Sequence, residues 1–298
     1  MKGKFIDLHV HTNFSDGFDS IATVIKKAKQ NNVGVLSLTE HYNISSYKIA
    51  CELAGDDIEI IPGIELGTDM SKYNENKKHV CHIVAYFVSY DICKVLDMYE
   101  IERYECVVKT LELLRKQNIN ITMSDVLEHA RDKKSVGRFD IARALKKLGY
   151  TKSTAEAYGR YLEHGGQSYV KRKKLKPFEL IQKIIECGGV PVLAHPKSLR
   201  FSEEQEDEFI SKLVESGLCG IEVYNSNIGE DKRLWYLSLC DKYNLIPTVG
   251  SDYHGGKRKP VLEIGKGKDN NLNVTDMSII ERLKKKKEEI DALNNQKG

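Results

Sequence analysis

Residues 5–17 read FIDLHVHTNFSDG, and the reading of this stretch decides the fold. A short apolar run, Phe5-Ile6, leads into two histidines one residue apart, His9 and His11, and Asp16 follows five residues after the second. Residues 4–9 have strand character. In extended backbone the side chains of i and i+2 point to the same side, so two imidazoles at this spacing can hold one metal ion. A single HxH pair is weak evidence on its own, because a strand-end histidine is more often a satisfied polar residue.

Outward from this stretch, short apolar runs alternate with helical patterns. Strands are expected at 4–9, at 35–39, within 57–66, and at 83–88, 190–194, 220–224 and 246–249. Helices are expected at 20–30, 177–186, 204–215 and 231–243; the first places Ile21, Val24, Ile25 and Ala28 on one face. This βα alternation predicts an α/β fold built on a parallel sheet or barrel. Between about 91 and 165 the pattern turns helical, at 110–114, 123–130, 141–148 and 154–161, and reads as an insertion. The expected organisation is an α/β domain of residues 1–90 and 166–270, a helical insertion at 91–165, and a charged C-terminal helix at 271–298. That last segment, with its lysine run, reads as a solvated face that frays.

Composition removes several classes of function. The chain has 298 residues, 41% of them hydrophobic, and a net charge of only +3, so strong nonspecific attraction to nucleic acid or membrane is not expected. No apolar run has membrane-spanning length, and the N-terminus lacks the apolar core of a signal peptide. The seven cysteines are scattered and form no CxxC pair, as expected of reduced thiols in a cytoplasmic protein. No membrane association and no stable protein partner is expected.

The polar residues gather where strands end. LTEHYN places Glu40 and His41 there, IIPGIEL places Glu65, VLAHPKS places His195, GIEVYNS places Glu222 and Asn225, and TVGSDYHGG places Asp252 and His254. In parallel α/β folds the C-terminal strand ends converge on one face, where active sites lie. Concentrating groups that are costly to desolvate on one face has no structural purpose, and multivalent metal binding removes that cost.

At this point the chain resembles the PHP superfamily, the polymerase and histidinol phosphatase family of metal-dependent phosphoesterases. The signatures HVHTNFSDG, LTEHYN, AHP and GSDYHG occur in order, with IPGIEL and CHIVAYF between them. The segment from Val136 to Val170 resembles the subgroup of nucleotide phosphoesterases that act on 3′,5′-bisphosphonucleotides or on short oligoribonucleotides from the 5′ end. The resemblance implies a distorted (β/α)7 barrel holding two or three divalent ions. By the family pattern, His9, His11, Glu65 and Asp252 hold the first ion, Glu65 bridges to a second completed by His82 and His195, and Asp16, His41 and His254 hold a third. Of the neighbouring pair His79 and His82, His82 fits the pattern, although it stands near the start of its strand. Glu40 replaces the usual aspartate of the second signature, and its extra methylene is expected to shift whatever contact it makes. Phe139-Asp140 replaces the usual proline and histidine after Gly137-Arg138.

An imidazole–carboxylate donor set suits manganese, iron or zinc better than calcium or magnesium. Such ions activate water to hydroxide near neutral pH and neutralise phosphate oxygens, so no protein nucleophile is required, and no GxSxG elbow is found. Asp252, His254 and His41 are the candidate catalytic residues. Arg138, Arg143 and Lys171 are the candidate substrate-binding residues. Asp140 reads as the N-cap of the helix after Gly137, with Arg138 in the loop before it. The run Lys171–Lys176 reads either as a solvated loop or as an attractor of anionic substrate, and Tyr224 and Tyr253 either stack on a base or pack in the core. Two alternatives stand beside the nucleotide phosphoesterase: a histidinol-phosphate phosphatase and a non-catalytic metal-binding PHP module.

Overall fold

The computed structural model describes residues 3–73, 79–130, 136–171, 173–256 and 261–296. The chain forms two compact units, one of Met1–Val95 with Leu175–Gly298 and one of Leu96–Lys174.

Among the described residues the first unit holds, besides an antiparallel pair of two-residue strands (Leu262–Glu263 with Gly267–Lys268), two main sheets built of eight strands: β1 (Phe5–Val10), β2 (Val33–Leu38), β3 (Glu59–Ile60), β4 (Gly63–Gly67), β5 (His82–Tyr86), β6 (Val190–Leu193), β7 (Gly220–Asn225) and β8 (Ile246–Gly250). One sheet has the order β1-β2-β3 and the other β4-β5-β6-β7-β8. Backbone bonds join them at both margins. The Asp252 N–H donates to the His9 carbonyl at 2.9 Å, the His11 N–H to Tyr253 at 2.8 Å, and the Glu65 N–H to Glu40 at 3.1 Å. Every one of these seams passes through a residue singled out in the sequence, so the joints of the sheets are also the site.

The expected all-parallel order holds for β1-β2-β3 and β6-β7-β8 but not between them, because β5 runs antiparallel to both β4 and β6. The described residues of the link from β4 to β5 contain no crossover helix, and only such a crossover returns the chain for parallel pairing. Reversal also explains the odd position of His82. As the first residue of β5 it pairs with Gly67, the last of β4, so the start of this strand lies level with the ends of its neighbours.

Helices α1 (Ile21–Gln30) and α2 (Ser46–Ala54) follow β1 and β2. The Ser20 side chain caps α1 by accepting from the Thr23 N–H, and Ile21, Val24, Ile25 and Ala28 are its buried face, as their spacing predicts. Helix α3 (Cys93–Arg115) enters the second unit, where it is followed by α4 (Met123–His129), α5 (Arg138–Lys147) and α6 (Thr154–Ala157). That unit has its own core, which includes Leu111, Leu114, Ile121, Val126, Ile141, Leu145 and Leu162. Back in the first unit come α7 (Pro177–Glu186), α8 (Glu203–Glu215), α9 (Glu230–Tyr243) and α10 (Ser278–Asn295).

The C-terminal segment differs from its sequence reading. Helix α10 is not a fraying tail: Ile279, Ile280, Leu283 and Ile290 are buried in the cluster that contains Ile6, Leu8, Val84 and Val192. Its lysines occupy the other side, where Lys284 pairs with Glu59 at 2.6 Å and Lys286 with Glu289 at 2.5 Å. The lysine run therefore does read as a solvated face, but the apolar positions around it form a stripe that docks.

Candidate metal centre

Strand β1 is buried on both faces. Ile6, Leu8 and Val10 enter the hydrophobic clusters, while Asp7, His9 and, one residue past the strand, His11 are buried as polar groups. Burial of this kind requires partners. Asp7 accepts from the N–H groups of Ser251 at 2.9 Å and Gly265 at 2.8 Å, tying β1 to the chain beyond β8. Burial outweighs these bonds and pushes its carboxyl up to about 6.

The centre of the site is Glu65 on β4, whose carboxylate is within reach of five imidazoles. Its Oε1 lies 2.8 Å from His82 Nδ1 and 2.9 Å from His195 Nε2. Its Oε2 lies 3.1 Å from His11 Nε2, 3.2 Å from His41 Nδ1 and 3.3 Å from His9 Nε2. Asp252 Oδ1 sits 3.6 Å from both His9 Nε2 and His11 Nε2, which are themselves 3.1 Å apart. Asp16 Oδ1 lies 3.2 Å from His254 Nε2, 3.8 Å from His11 Nδ1 and 4.0 Å from His41 Nε2. All nine metal-ligand candidates therefore come together. His79, the neighbour of the set, points elsewhere: its Nδ1 donates to the Leu199 carbonyl at 2.5 Å and its ring lies tilted against that of Phe201, with centroids 4.7 Å apart.

The donors fit divalent cations. Three groups of potential ligands each have donor atoms within 4.8 Å of one another: His11, Asp16, His41 and His254; His9, Glu65 and His195; His9, His11 and Asp252. His41 Nδ1 is buried and, although 3.2 Å from Glu65 Oε2, makes no aligned hydrogen bond, a position that a cation would satisfy. Burial together with the neighbouring His41 and His254 pushes the His11 imidazole down to about 3, and burial takes His82 down to about 4, against the pull of Glu65 in both cases. Neutral imidazoles are the form that ligates metal; against the burial that opposes their charge, nearby carboxylates hold His9, His195 and His254 above the usual imidazole range, so a cation binding there would displace their protons.

A second layer holds these ligands in place, and here the sequence reading missed a role. Glu222 on β7 was visible as a polar strand-end residue without a function. Its Oε2 lies 2.6 Å from His9 Nδ1, and both residues are 0% exposed. A carboxylate here can only accept, so Nδ1 carries the proton and Nε2 is left to face the cluster. Glu222 also accepts from the Asn225 amide. Gly250 makes room for this pair, since a Cβ there would stand 2.3 Å from His9 Cβ and 3.0 Å from Glu222 Cδ. Glu40, despite its extra methylene, accepts from the Thr12 N–H at 3.1 Å and from the hydroxyls of Thr12 and Ser15, so it anchors the loop that carries Asp16. The chain turns sharply at two ligands. His195 has φ +27° and Asp252 φ +56°, a left-handed backbone that costs a side-chain-bearing residue about 1–3 kcal/mol.

The candidate substrate residues all belong to the second unit. Arg138 is not in a loop: it is the first residue of α5, and Asp140 is the third rather than the N-cap. Gly137 is the cap, and its N–H donates to Asp140 Oδ2 at 2.7 Å. Asp140 also pairs with Arg143, so it closes the start of α5 from the third helical position, by accepting from the Gly137 N–H, rather than as the N-cap itself. Lys171 is exposed, and Arg172 in the same run lies outside the described residues. Tyr253 packs rather than stacks, being 4% exposed with its hydroxyl held by Asp19 and by Lys27 Nζ at 2.6 Å. Tyr224 is partly buried under the Arg233 guanidinium, 5.6 Å from its ring centre.

Comparison with known proteins agrees with this geometry. The family described as the PHP domain matches residues 7–170. The chain is 26% identical over 266 residues to the 5′-3′ exoribonuclease Rnm of Escherichia coli, covering 87% of this chain and 88% of that protein. It is 26% identical over 254 residues to a phosphoribosyl 1,2-cyclic phosphate 1,2-diphosphodiesterase of Eggerthella lenta, covering 84% and 94%. The solved structure of a proposed metal-dependent phosphoesterase from Bifidobacterium adolescentis superimposes with a TM-score of 0.69 at 23% identity, over 95% of this chain and 96% of that one.

Proposed function

This chain belongs to the PHP domain family, and we propose that it is a metal-dependent phosphoesterase acting on small nucleotides: 3′,5′-bisphosphonucleotides, short oligoribonucleotides, or both. The observation that carries the reading is Glu65, 1% exposed and within 3.3 Å of His9 and closer still to four other imidazoles. One buried carboxylate among five imidazoles is a bridging ligand in want of cations. We assign His9, His11, Glu65 and Asp252 to one ion, Glu65, His82 and His195 to a second, and Asp16, His41 and His254 to a third, with manganese, iron or zinc as the metals this donor set suits. We also read the strands as a distorted (β/α)7 barrel with β3 and β4 sharing one stave; the backbone bonds at both sheet margins support it. The seven cysteines are free, which supports a reducing compartment such as the cytoplasm.

Ions bound in this set lower the pKa of water and neutralise charge on a phosphate ester. The chain supplies the rest. His9 is locked in one tautomer by Glu222, and Glu40 fixes the loop of Asp16. Asp252, His254 and His41, with side chains 25%, 15% and 25% exposed, are, with the more open Asp16, among the solvent-facing members of the cluster, and we assign them to hold or hand over the proton that the leaving alkoxide takes. Arg138, Arg143 and Lys171 remain our candidates for holding substrate phosphate. One second reading has a specific observation in its favour: identity to the cyclic phosphodiesterase equals that to the exoribonuclease, so a ribose cyclic phosphate belongs among the substrates tested.

The test is metal analysis of the purified chain, then phosphate release from bisphosphonucleotides, 5′-phosphorylated short RNAs, a ribose cyclic phosphate and histidinol phosphate. Release from nucleotides that stops on chelation and returns with manganese is expected. Full activity of metal-stripped protein would end the reading, release from histidinol phosphate alone would replace it, and bound metal without any turnover would leave a non-catalytic module.

A further inference from the structure

The second unit carries an exposed aromatic side chain, beside Arg138, that the reading above leaves without a role. Phe139, in the first turn of α5, is 60% exposed. Its ring lies flat on that of Tyr158, with centroids 4.6 Å apart and planes inclined by 12°. Beside it the Arg138 guanidinium sits over the rings of Tyr158 and Tyr169, at 5.7 and 5.5 Å. Among the described residues Arg138 makes a single hydrogen bond, from Nη1 to the Leu162 carbonyl at 3.2 Å. A guanidinium has five N–H donors, so most remain for a ligand.

Two independent features mark this face. Tyr158 begins a π-helical turn, Tyr158–Leu162, closed by the Glu163 N–H donating to the Tyr158 carbonyl at 2.8 Å. Turns of this kind are rare and are frequent at functional sites. The unit is also basic: residues 96–174 contain 17 Lys and Arg against 11 Asp and Glu, while the whole chain is only +3. A phenylalanine used for packing is buried; this one is supported from beneath by a tyrosine and open above. An open aromatic face next to a guanidinium is the pairing that a nucleobase and its phosphate require, because any base stacks on a π face and arginine grips phosphate with parallel hydrogen bonds.

We propose that this face binds single-stranded RNA, one base stacking on Phe139 and the adjoining phosphate held by Arg138. The proposal rests on the nucleotide reading above but adds a site to it, since Phe139 has no place in the metal chemistry. Stacking of this type tolerates any base, with purines favoured by their larger rings.

Binding of a fluorescein-labelled phosphorothioate oligoadenylate, which resists hydrolysis, is measured by anisotropy on the full chain, with p-nitrophenyl phosphate turnover as a parallel readout. Phe139→Ala should weaken RNA binding by about tenfold, equal to about 1.4 kcal/mol. Phe139→Tyr should stay near wild type, and both variants should keep p-nitrophenyl phosphate turnover and Tm. Should Phe139→Ala lower Tm, Phe139→Leu decides, since it keeps apolar bulk without the π face and should bind as weakly as alanine. Wild-type protein that does not bind the oligonucleotide, or Phe139→Leu that binds it as well as wild type, overturns the proposal. RNA binding lost on Phe139→Ala in a chain that hydrolyses no phosphate ester upholds this site and defeats the phosphoesterase reading instead.

Discussion

Replacing Glu222 by glutamine changes one atom and should cost the protein most of its metal affinity. In the wild type Oε2 accepts from His9 Nδ1 at 2.6 Å and Oε1 accepts from Asn225, with His9, Glu222 and Asn225 all 0% exposed. A glutamine amide has one acceptor and one donor end. If its oxygen faces His9, its NH2 meets the Asn225 NH2, and one buried donor is left unpaired at a cost of about 1–3 kcal/mol. If its NH2 faces His9, Nδ1 must accept, the ring proton moves to Nε2, and the nitrogen that faces the cluster is blocked. Either outcome works against the ion assigned to His9, and loss of such an orienting partner typically weakens metal binding 10–100-fold, about 1.4–2.8 kcal/mol. Titration calorimetry of manganese into the metal-free chain reads this directly. The double variant Glu222→Gln with Asn225→Asp restores a donor–acceptor match and should recover part of the loss. Unchanged metal affinity in Glu222→Gln would refute the argument that Glu222 sets the His9 tautomer.

The two histidines of β5 and its approach should separate cleanly. His82→Ala removes a side chain 2.8 Å from Glu65 and should lower both bound metal and phosphate release, whereas His79→Ala, whose imidazole serves the Leu199 carbonyl, should keep both; the reverse pattern in metal analysis would reassign the ligand. Deleting residues 278–298 removes Ile279, Ile280, Leu283 and Ile290 from the core. At about 1.5–3 kcal/mol for each buried aliphatic side chain, the loss is comparable to the whole stability of a typical domain, and the truncated chain should fail to give a cooperative urea transition; an unaltered transition would return α10 to the status of a tail.

Part of this protein could be read from its residues one at a time. The period-2 and period-3.6 patterns located β1, α1 and α7 because burial of a face imposes those periods whatever the surroundings. Most of the ligand candidates were legible for a related reason: histidine and carboxylate at strand ends are too costly to be placed there without partners, while Asp16 and His82 entered the ligand set only through the resemblance to the PHP family. What depended on contacts distant in sequence was not legible. The direction of β5 is set by how its connection returns to the sheet, and with it the level at which His82 arrives. The docking of α10 depends on a groove that β6 and β8 form with the rest of the core only once the sheet is assembled, so its lysines spoke for solvent while its isoleucines were decided elsewhere.

The sequence alone determined which side chains can ligate, since ligand chemistry belongs to the residue, and which strands bring them, since that is a local periodicity. Only the tertiary structure decided what each of them faces. Glu222 and His9 are 213 positions apart, and no local pattern states that one carboxylate will orient the other's ring. Asp140 likewise looked like a cap by type, but the backbone begins its helix at Arg138 and gives the cap to Gly137. Hydrogen bonds of this kind are chosen when the backbone closes over them, because a buried donor takes whichever acceptor the fold brings within about 3 Å.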